Sequence, residues 1–166
     1  HAHVAQHGRA MTMERFASCP GLERCLKQVG AAAERLRGGP RERWILGDGI
    51  RIEGWKEQRY PTAAELDEVS GARPVCIWSF DYHALVVNSA AMRALKISEK
   101  TPDPGHGRIV RVEGGRPTGL MIEAAAKWVW GSIPEPSGSE KREQVRAALR
   151  DLAGHGFVEI HDLLAP

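Results

Sequence analysis

The sequence lacks any apolar run that approaches the roughly 20 residues needed to span a bilayer, which excludes a transmembrane helix. It also lacks a predominant charge, because 23 lysine and arginine residues stand against 21 aspartate and glutamate residues, for a formal net charge of +2. Proteins that bind nucleic acid or anionic membranes usually carry a clustered basic excess. We therefore expect neither nucleic acid nor a membrane as a partner.

Cysteine is scarce as well. Cys19, Cys25 and Cys76 form an odd number without a CxxC pair, which argues against a disulfide framework and against a cysteine zinc site. The N-terminal residues do not resemble a signal peptide, and we expect a cytoplasmic protein. The motifs of dinucleotide binding (GxGxxG), of a phosphate loop and of a serine nucleophile elbow (GxSxG) are missing too.

The chain has the size and composition of one ordinary domain. Its 166 residues, 42% hydrophobic and 27% charged, are enough to bury a core without a structural metal or disulfides. It opens at His1 instead of methionine, and residues 158–164 predict a strand that has barely begun where the sequence stops. We expect both ends to be cuts in a longer protein.

The pattern of apolar residues predicts alternating helices and strands, hence an α/β fold. Apolar side chains at three- and four-residue steps predict a helix over 21–37, and Thr62 with Glu65 has the spacing of a capping box. Residues 74–80 are apolar and rich in β-branched and aromatic side chains, which predicts a strand buried on both faces. The other predicted elements are strands at 44–47 and 108–112, a hairpin turn at 113–116, and helices at 88–95, at 123–130 and from Ser139.

His1 and His3 are the sharpest local signal for chemistry. Residues two apart on a strand point to the same face, so both imidazoles can reach one metal ion. Two histidines at this spacing are also frequent by chance. The alternative is a frayed terminus or the remnant of a purification tag.

Other candidate residues lie directly after predicted strands or at the start of a predicted helix. Asp81 and His83 come directly after the strongest predicted strand, at the end where α/β folds place functional groups. A carboxylate near an imidazole can fix its tautomer and raise its basicity, but Asp81 can equally cap a turn. Glu123 opens a predicted helix, where a carboxylate suits the helix dipole without any functional role. His161 and Asp162 occupy a similar place after the last predicted strand.

Nine short segments, taken in order, resemble one branch of the amidohydrolase superfamily, the metal-dependent hydrolases related to N-substituted formamide deformylase. The match covers nearly the whole chain. Residues 1–3 resemble the HxH motif that ends the first barrel strand in that superfamily. The segments are 1–4 (HAHV), 44–47 (WILG), 61–67 (PTAAELD), 73–75 (RPV), 83–91 (HALVVNSAA), 101–104 (TPDP), 107–109 (GRI), 117–120 (PTGL) and 161–162 (HD).

The resemblance implies the N-terminal part of a (β/α)8 (TIM) barrel with an inserted mixed α+β subdomain. On this basis residues 1–37 hold the end of the first barrel strand and a helix. Residues 38–136 form the inserted segment, and residues 137–166 hold a barrel helix and the second strand. The implied reaction is hydrolysis of an amide-type C–N bond by water activated on a divalent metal, usually zinc.

The resemblance also implies roles for particular residues. His1 and His3 match the two metal ligands of the first strand, while two more histidines and an aspartate are expected from later strands that this chain does not include. Some deacetylases of the superfamily hold metal with a glutamate after the inserted segment, which makes Glu123 a third candidate ligand. His83, with Asp81, is the candidate catalytic residue that contacts the substrate.

One position departs from the family pattern, and two interpretations stay open. The family usually has a small residue, often glycine, where Tyr82 stands, so we expect the phenol to reshape the pocket. In the first interpretation the chain is part of a hydrolase with a small-molecule amide substrate, inactive in isolation and assembled as a homodimer. In the second it is a non-catalytic insertion domain that acts as a binding or packing module.

Overall fold

The computed structural model describes residues 1–39 and 43–162, which form two compact units. The terminal unit combines His1–Met13 with the chain from Pro134 onward, and the central unit is Glu14–Ile133. Pro40, expected to stop the first long helix, and Leu163 and Leu164 of the expected C-terminal strand lie outside the described residues.

The terminal unit contains helices α1 (Val4–Ala10) and α6 (Gly138–Gly154), and the central unit contains all the strands of the described residues. No helix in the described part of the chain combines the length and apolarity of a membrane span. The strands are β1 (Glu14–Arg15), β2 (Ile45–Ile50), β3 (Val75–Ser79), β4 (Ala84–Val87), β5 (Gly107–Arg111) and β6 (Pro117–Glu123). The helices of the central unit are α2 (Leu22–Arg35), α3 (Ala63–Ser70), α4 (Ser89–Ala94) and α5 (Ala124–Gly131).

The central unit is built on one mixed sheet of six strands in the order β1-β2-β3-β4-β6-β5. The first three strands are parallel to one another, and the remaining pairings are antiparallel. All five residues of β3 are buried, which confirms the prediction of a strand covered on both faces. Val75 and Ile77 join the main core, whereas Trp78 packs against Trp130 of α5 with ring centres 5.8 Å apart.

Helix α2 supplies much of the main core. Its apolar stripe, predicted from the three- and four-residue spacing, buries Leu22, Cys25, Val29 and Ala32 in the main core. The sequence groups this helix with residues 1–37, but in the structure it packs within the central unit because the stripe meets Phe16 and the strand residues there.

The capping box at the start of α3 is confirmed. The Thr62 hydroxyl accepts from the Glu65 amide at 3.3 Å, and the Glu65 carboxylate accepts the Thr62 amide at 2.8 Å. The Arg59 guanidinium also donates two hydrogen bonds to Glu65, at 2.7 and 2.9 Å. Arg59, followed by the Thr62 groups, lowers the pKa of Glu65 to about 2, against the partly opposing effect of burial.

This lowered pKa makes stability depend on pH. Because the folded pKa lies below the unfolded value, the ionised Glu65 stabilises the fold above about pH 4.5, and the gain is lost as the pH falls towards 2. We expect Glu65→Gln to cost about 1–2 kcal/mol at pH 7 and roughly half of that or less at pH 3, in urea unfolding. Glu68→Gln, on the exposed side of the same helix, is the control. Equal losses at both pH values would contradict the assignment.

The two helices of the terminal unit pack closely. A Cβ atom at Gly8 would lie 2.2 Å from the Gln144 carbonyl oxygen, so only glycine allows this approach of α1 to α6. The ring of His7 bonds the Asp151 carboxylate of α6 through Nε2 at 2.8 Å. Helix α1 is not predicted from the sequence, because residues 4–10 mix small and polar side chains without a clear apolar stripe.

The strands expected at the two ends are not formed in the described residues. Residues 1–3 have no regular structure and α1 begins at Val4, because the Asp162 carboxylate accepts the Val4 amide at 2.8 Å and caps the helix. Residues 157–162 likewise form no strand, and their one backbone bond to the N-terminal residues runs from the Ala2 amide to the His161 carbonyl. A pair of segments without further neighbours does not make a stable ladder.

Candidate active-site residues

In the terminal unit, His1 and His3 stand side by side. Their ring centres are 5.4 Å apart and the ring planes are inclined by 64°. Two imidazoles that bind one tetrahedral zinc through nitrogens about 2.0–2.1 Å from the ion have ring centres about 5 Å apart. The donor type and the spacing of this pair therefore fit a zinc-like ion.

His3 carries a buried polar atom without a hydrogen-bond partner. Its Nδ1 is buried, and the nearest carboxylate oxygen, Oδ1 of Asp162, lies 3.7 Å away, within ion-pair distance but too far for a hydrogen bond. A metal-binding histidine commonly turns its second nitrogen towards a carboxylate, which fixes the ring and its tautomer. With Nδ1 facing Asp162, Nε2 is the nitrogen left for a ligand.

In the central unit, hydrogen bonds join His83, which directly precedes β4, to Glu123, the last residue of the neighbouring strand β6. His83 Nδ1 bonds the Glu123 carboxylate at 2.8 Å, and the Glu123 amide donates to the His83 carbonyl at 2.8 Å. Both side chains are exposed, at 64% and 46%. The pair is thus held in register by the β4–β6 pairing while its polar atoms stay accessible.

The backbone around this pair, at one end of strands β4, β6 and β5 (called this edge of the sheet below), is strained. Tyr82, His106 and Glu123 have φ values of 59°, 61° and 54°, a left-handed conformation that residues other than glycine adopt at an energetic cost. Such outliers cluster at functional sites, which makes this edge a candidate. Glu123 precedes α5, yet its side chain makes no hydrogen bond to the helix backbone. A carboxylate at this position still suits the helix dipole without such a bond, so this alternative for Glu123 stays open.

Asp81 has the contacts of a turn residue. Its Oδ1 accepts from the Ser79 hydroxyl at 2.6 Å and from the His83 amide at 3.1 Å. These bonds, the Ser79 bond foremost, lower the pKa of Asp81. A carboxylate that accepts its own turn's N–H two residues on is typical of an Asx turn. Asp81 thus shapes the backbone that presents His83, and its carboxylate bonds the Ser79 hydroxyl and the His83 amide instead of the His83 ring.

Tyr82 lies over a buried carboxylate. Its hydroxyl donates to Oδ2 of Asp48 at 3.3 Å, while Oδ1 of Asp48 lies 3.2 Å from Nε of Arg15. Burial, followed by the negative charge of Asp48, raises the pKa of the Tyr82 phenol, which keeps it protonated as a donor. The ring packs beside Trp78, with centres 5.7 Å apart.

Most of these residues are candidates from the sequence alone, but two features of the structure are not predicted by it. From the sequence, His106 is predicted to be a loop residue among glycines. In the structure its positive φ and the contact of its carbonyl with the Ala124 amide place it at the strained edge. The approach of Asp162 to His3 could have been anticipated only from the HD segment at 161–162. Within residues 1–39 and 43–162, no three His, Cys, Asp or Glu side chains are grouped so as to hold a metal ion.

Comparison with known proteins yields a consistent family. A family model described as the amidohydrolase family matches residues 1–165. The chain is 32% identical to YtcJ of Bacillus subtilis over 161 residues, which are 97% of this chain and 30% of YtcJ. It is also 32% identical to the N-substituted formamide deformylase of Arthrobacter pascens over 144 residues, 84% of this chain and 27% of that protein.

Solved structures share the fold. An uncharacterized metal-dependent hydrolase from Pyrococcus furiosus superposes with a TM-score of 0.65 at 22% identity, over 94% of this chain and 29% of that one. The chain therefore spans about 30% of the length of the proteins that it matches.

Proposed function

The chain belongs to the amidohydrolase family, and from this premise we propose that it is the N-terminal part of a metal-dependent hydrolase that cleaves an amide-type C–N bond. The substrate class is a small-molecule amide, such as an N-substituted formamide. The remaining ligands of the site, and the rest of a TIM barrel, belong to the residues of a longer chain. A homodimeric assembly and a cytoplasmic location complete the proposal, the latter supported by three cysteines that form no disulfide.

The observation that carries the proposal is the His1–His3 pair beside Asp162. Both rings are spaced as two ligands of one zinc-like ion, and the buried Nδ1 of His3 faces a carboxylate. A frayed terminus would not present a half-buried histidine to an aspartate 159 positions away in the sequence. Zinc is proposed because imidazole and carboxylate ligands with tetrahedral spacing suit it.

In the proposed reaction, different residues of the chain bind the metal and orient its ligands. When bound, a divalent metal lowers the pKa of a coordinated water and polarises the substrate carbonyl. His1 and His3 hold the metal, and Asp162 fixes the tautomer of His3 by facing its Nδ1. Glu123 is the third candidate ligand, since a carboxylate is a suitable donor for zinc.

His83 contacts the substrate in this proposal. Its Nδ1 is engaged by Glu123, which leaves Nε2 for a hydrogen bond to the amide. Asp81 orients the turn that carries His83, and Tyr82 flanks it with a neutral hydroxyl. The strained angles of Tyr82 and Glu123 hold these side chains at one sheet edge, as expected of a preorganised site.

The experiment that tests the function compares this chain with the longer protein. We expect the longer protein, loaded with zinc, to hydrolyse N-substituted formamides or N-acyl amino acids, and to lose turnover after chelation. We expect the 166-residue chain to show none, because a catalytic zinc site needs about three grouped protein ligands and an open position, and no such group of three is formed within residues 1–39 and 43–162. Metal-dependent turnover by the short chain, or an inactive zinc-loaded long protein, would contradict the proposal.

A pair of substitutions separates the roles of His83 and Glu123. In the longer protein, His83→Ala should lower kcat/KM about 10–100-fold with little change in Tm, because the side chain is exposed. Glu123→Gln should in addition reduce the zinc content measured by atomic absorption, if the carboxylate binds metal. His155→Ala, an exposed histidine of the terminal unit, is the control. A large drop in Tm with normal activity per folded molecule would make His83 structural.

The second interpretation, a non-catalytic binding or packing module, has one observation in its favour. The central unit buries a core of its own, which includes Phe16, Leu66 and Ile77, without a contribution from the two histidines of the HxH motif. The comparison of turnover in the long and short chains also decides this alternative.

A further inference from the structure

A cleft in the central unit takes no part in the proposed hydrolysis. It has a volume of about 620 Å³ and is formed by the start of α3, by α4 with the loop that follows it, and by the β5–β6 hairpin. This volume lies in the range of small-molecule sites, about 300–1,000 Å³. Pro117 lines the cleft and Glu123 ends the same strand, so the cleft and the His83–Glu123 pair are about 20 Å apart at about 3.3 Å per residue.

The walls of the cleft are apolar. Met92, Ile97, Val112 and Pro117 line it, and Val112 remains 44% exposed. Small-molecule sites are lined mainly by hydrophobic side chains, with a few polar groups that fix the orientation of the ligand. A ligand that covers this surface gains free energy from the burial of apolar area.

The rim of the cleft is cationic. Arg93, Lys100 and Arg116 line it, and within residues 1–39 and 43–162 none of the three forms an ion pair with a carboxylate. Elsewhere on the described surface, arginines such as Arg59 and Arg111 are paired with acids. Glu99 is the one acidic residue among the lining residues, so the rim keeps an excess of two positive charges.

We propose that this cleft binds a small amphipathic carboxylate, whose apolar body covers the wall around Met92 and Val112 and whose head pairs with Arg93 and Arg116. The planar guanidinium presents paired N–H donors that match the two oxygens of a carboxylate. The concave shape and the volume favour a small molecule over a flat protein partner. This inference is independent of the proposed hydrolase function, because none of its residues belongs to that site.

Methionine methyl groups provide a direct test. The sequence holds four methionines: Met92 lines the cleft, Met121 is fully buried in the sheet, and Met11 and Met13 belong to the terminal unit. Decanoate, kept below its micelle concentration, is titrated into the 166-residue chain carrying ¹³C-methyl methionine. We expect a saturable shift of the Met92 signal, while the other three signals stay in place.

Two variants test the role of the charges. Arg93→Gln with Arg116→Gln should weaken decanoate binding at least about tenfold and leave the weaker binding of 1-decanol unchanged. Lys27→Gln with Lys127→Gln removes two exposed cations outside the cleft and should change neither affinity. Ala64→Trp, which fills the cleft from an exposed position on its edge, should abolish the binding of both ligands. The absence of a saturable Met92 shift, equal shifts of all four methionines, or an unchanged affinity in the arginine variant would overturn the proposal.

Discussion

Replacement of Asn88 by alanine is expected to lower the free energy of unfolding of the central unit by about 3–5 kcal/mol. Asn88 is fully buried and uses all its hydrogen-bonding capacity. Its Oδ1 accepts the amides of Val75 and Ala91, at 3.0 and 2.9 Å, and its Nδ2 donates to Ser70 Oγ and to the Arg73 carbonyl, at 2.9 and 2.8 Å.

The size of this effect follows from what alanine would leave behind. The first turn of α4 would lose its cap, worth about 1 kcal/mol, and three buried polar groups would lose a partner at about 1–3 kcal/mol each, part of which water can recover. All five tryptophans lie between Trp44 and Trp130, so tryptophan fluorescence in urea reports on the central unit. Ser89→Ala is the neighbouring control, with an expected change within about 0.5 kcal/mol. A loss below about 1 kcal/mol for Asn88→Ala would refute this role.

The second large effect concerns catalysis in the longer protein. We expect His3→Ala to lower kcat/KM by about 10³-fold or more, because the removal of a metal ligand removes the activated water. Asp162→Asn should cost about 10–100-fold, the range found for groups that orient a metal ligand. His7→Ala, which loses only the bond to Asp151, should leave kcat/KM within about twofold. Equal effects of His3→Ala and His7→Ala would indicate general destabilisation instead of a metal site.

The elements predicted correctly are those with strong local signals. The helix at 21–37, the capping box at Thr62 and the buried strand at 74–80 follow from periodicity, cap chemistry and β-branched content, all of which act within a few residues. Strand β4 was missed because its four residues directly follow the Asp81 turn, and the pairing with β3 and β6 that stabilises them is non-local. The expected terminal strands depend on neighbours that the described residues do not supply.

In the candidate site, too, single residues have local sequence signals, whereas their contacts depend on non-local pairing. Sequence reasoning selected His83 and Glu123 separately, yet their hydrogen bond joins residues 40 positions apart and depends on the antiparallel pairing of β4 with β6. Asn88, part of the segment that resembles the family, fills a structural role that only the four observed hydrogen bonds reveal. The turn role of Asp81, by contrast, was one of the two alternatives that the sequence left open.

Equilibrium dialysis measures directly whether His1 and His3 bind zinc. The chain should carry a short Gly-Ser extension before His1, so that the terminal amino group cannot act as a ligand, and zinc should be used in a non-chelating buffer. Zinc ligation by this pair predicts saturable binding of about one equivalent that is lost in His3→Ala and retained in a variant that combines His7→Ala with His155→Ala. Zinc binding that survives His3→Ala but disappears with His7 and His155 would contradict it.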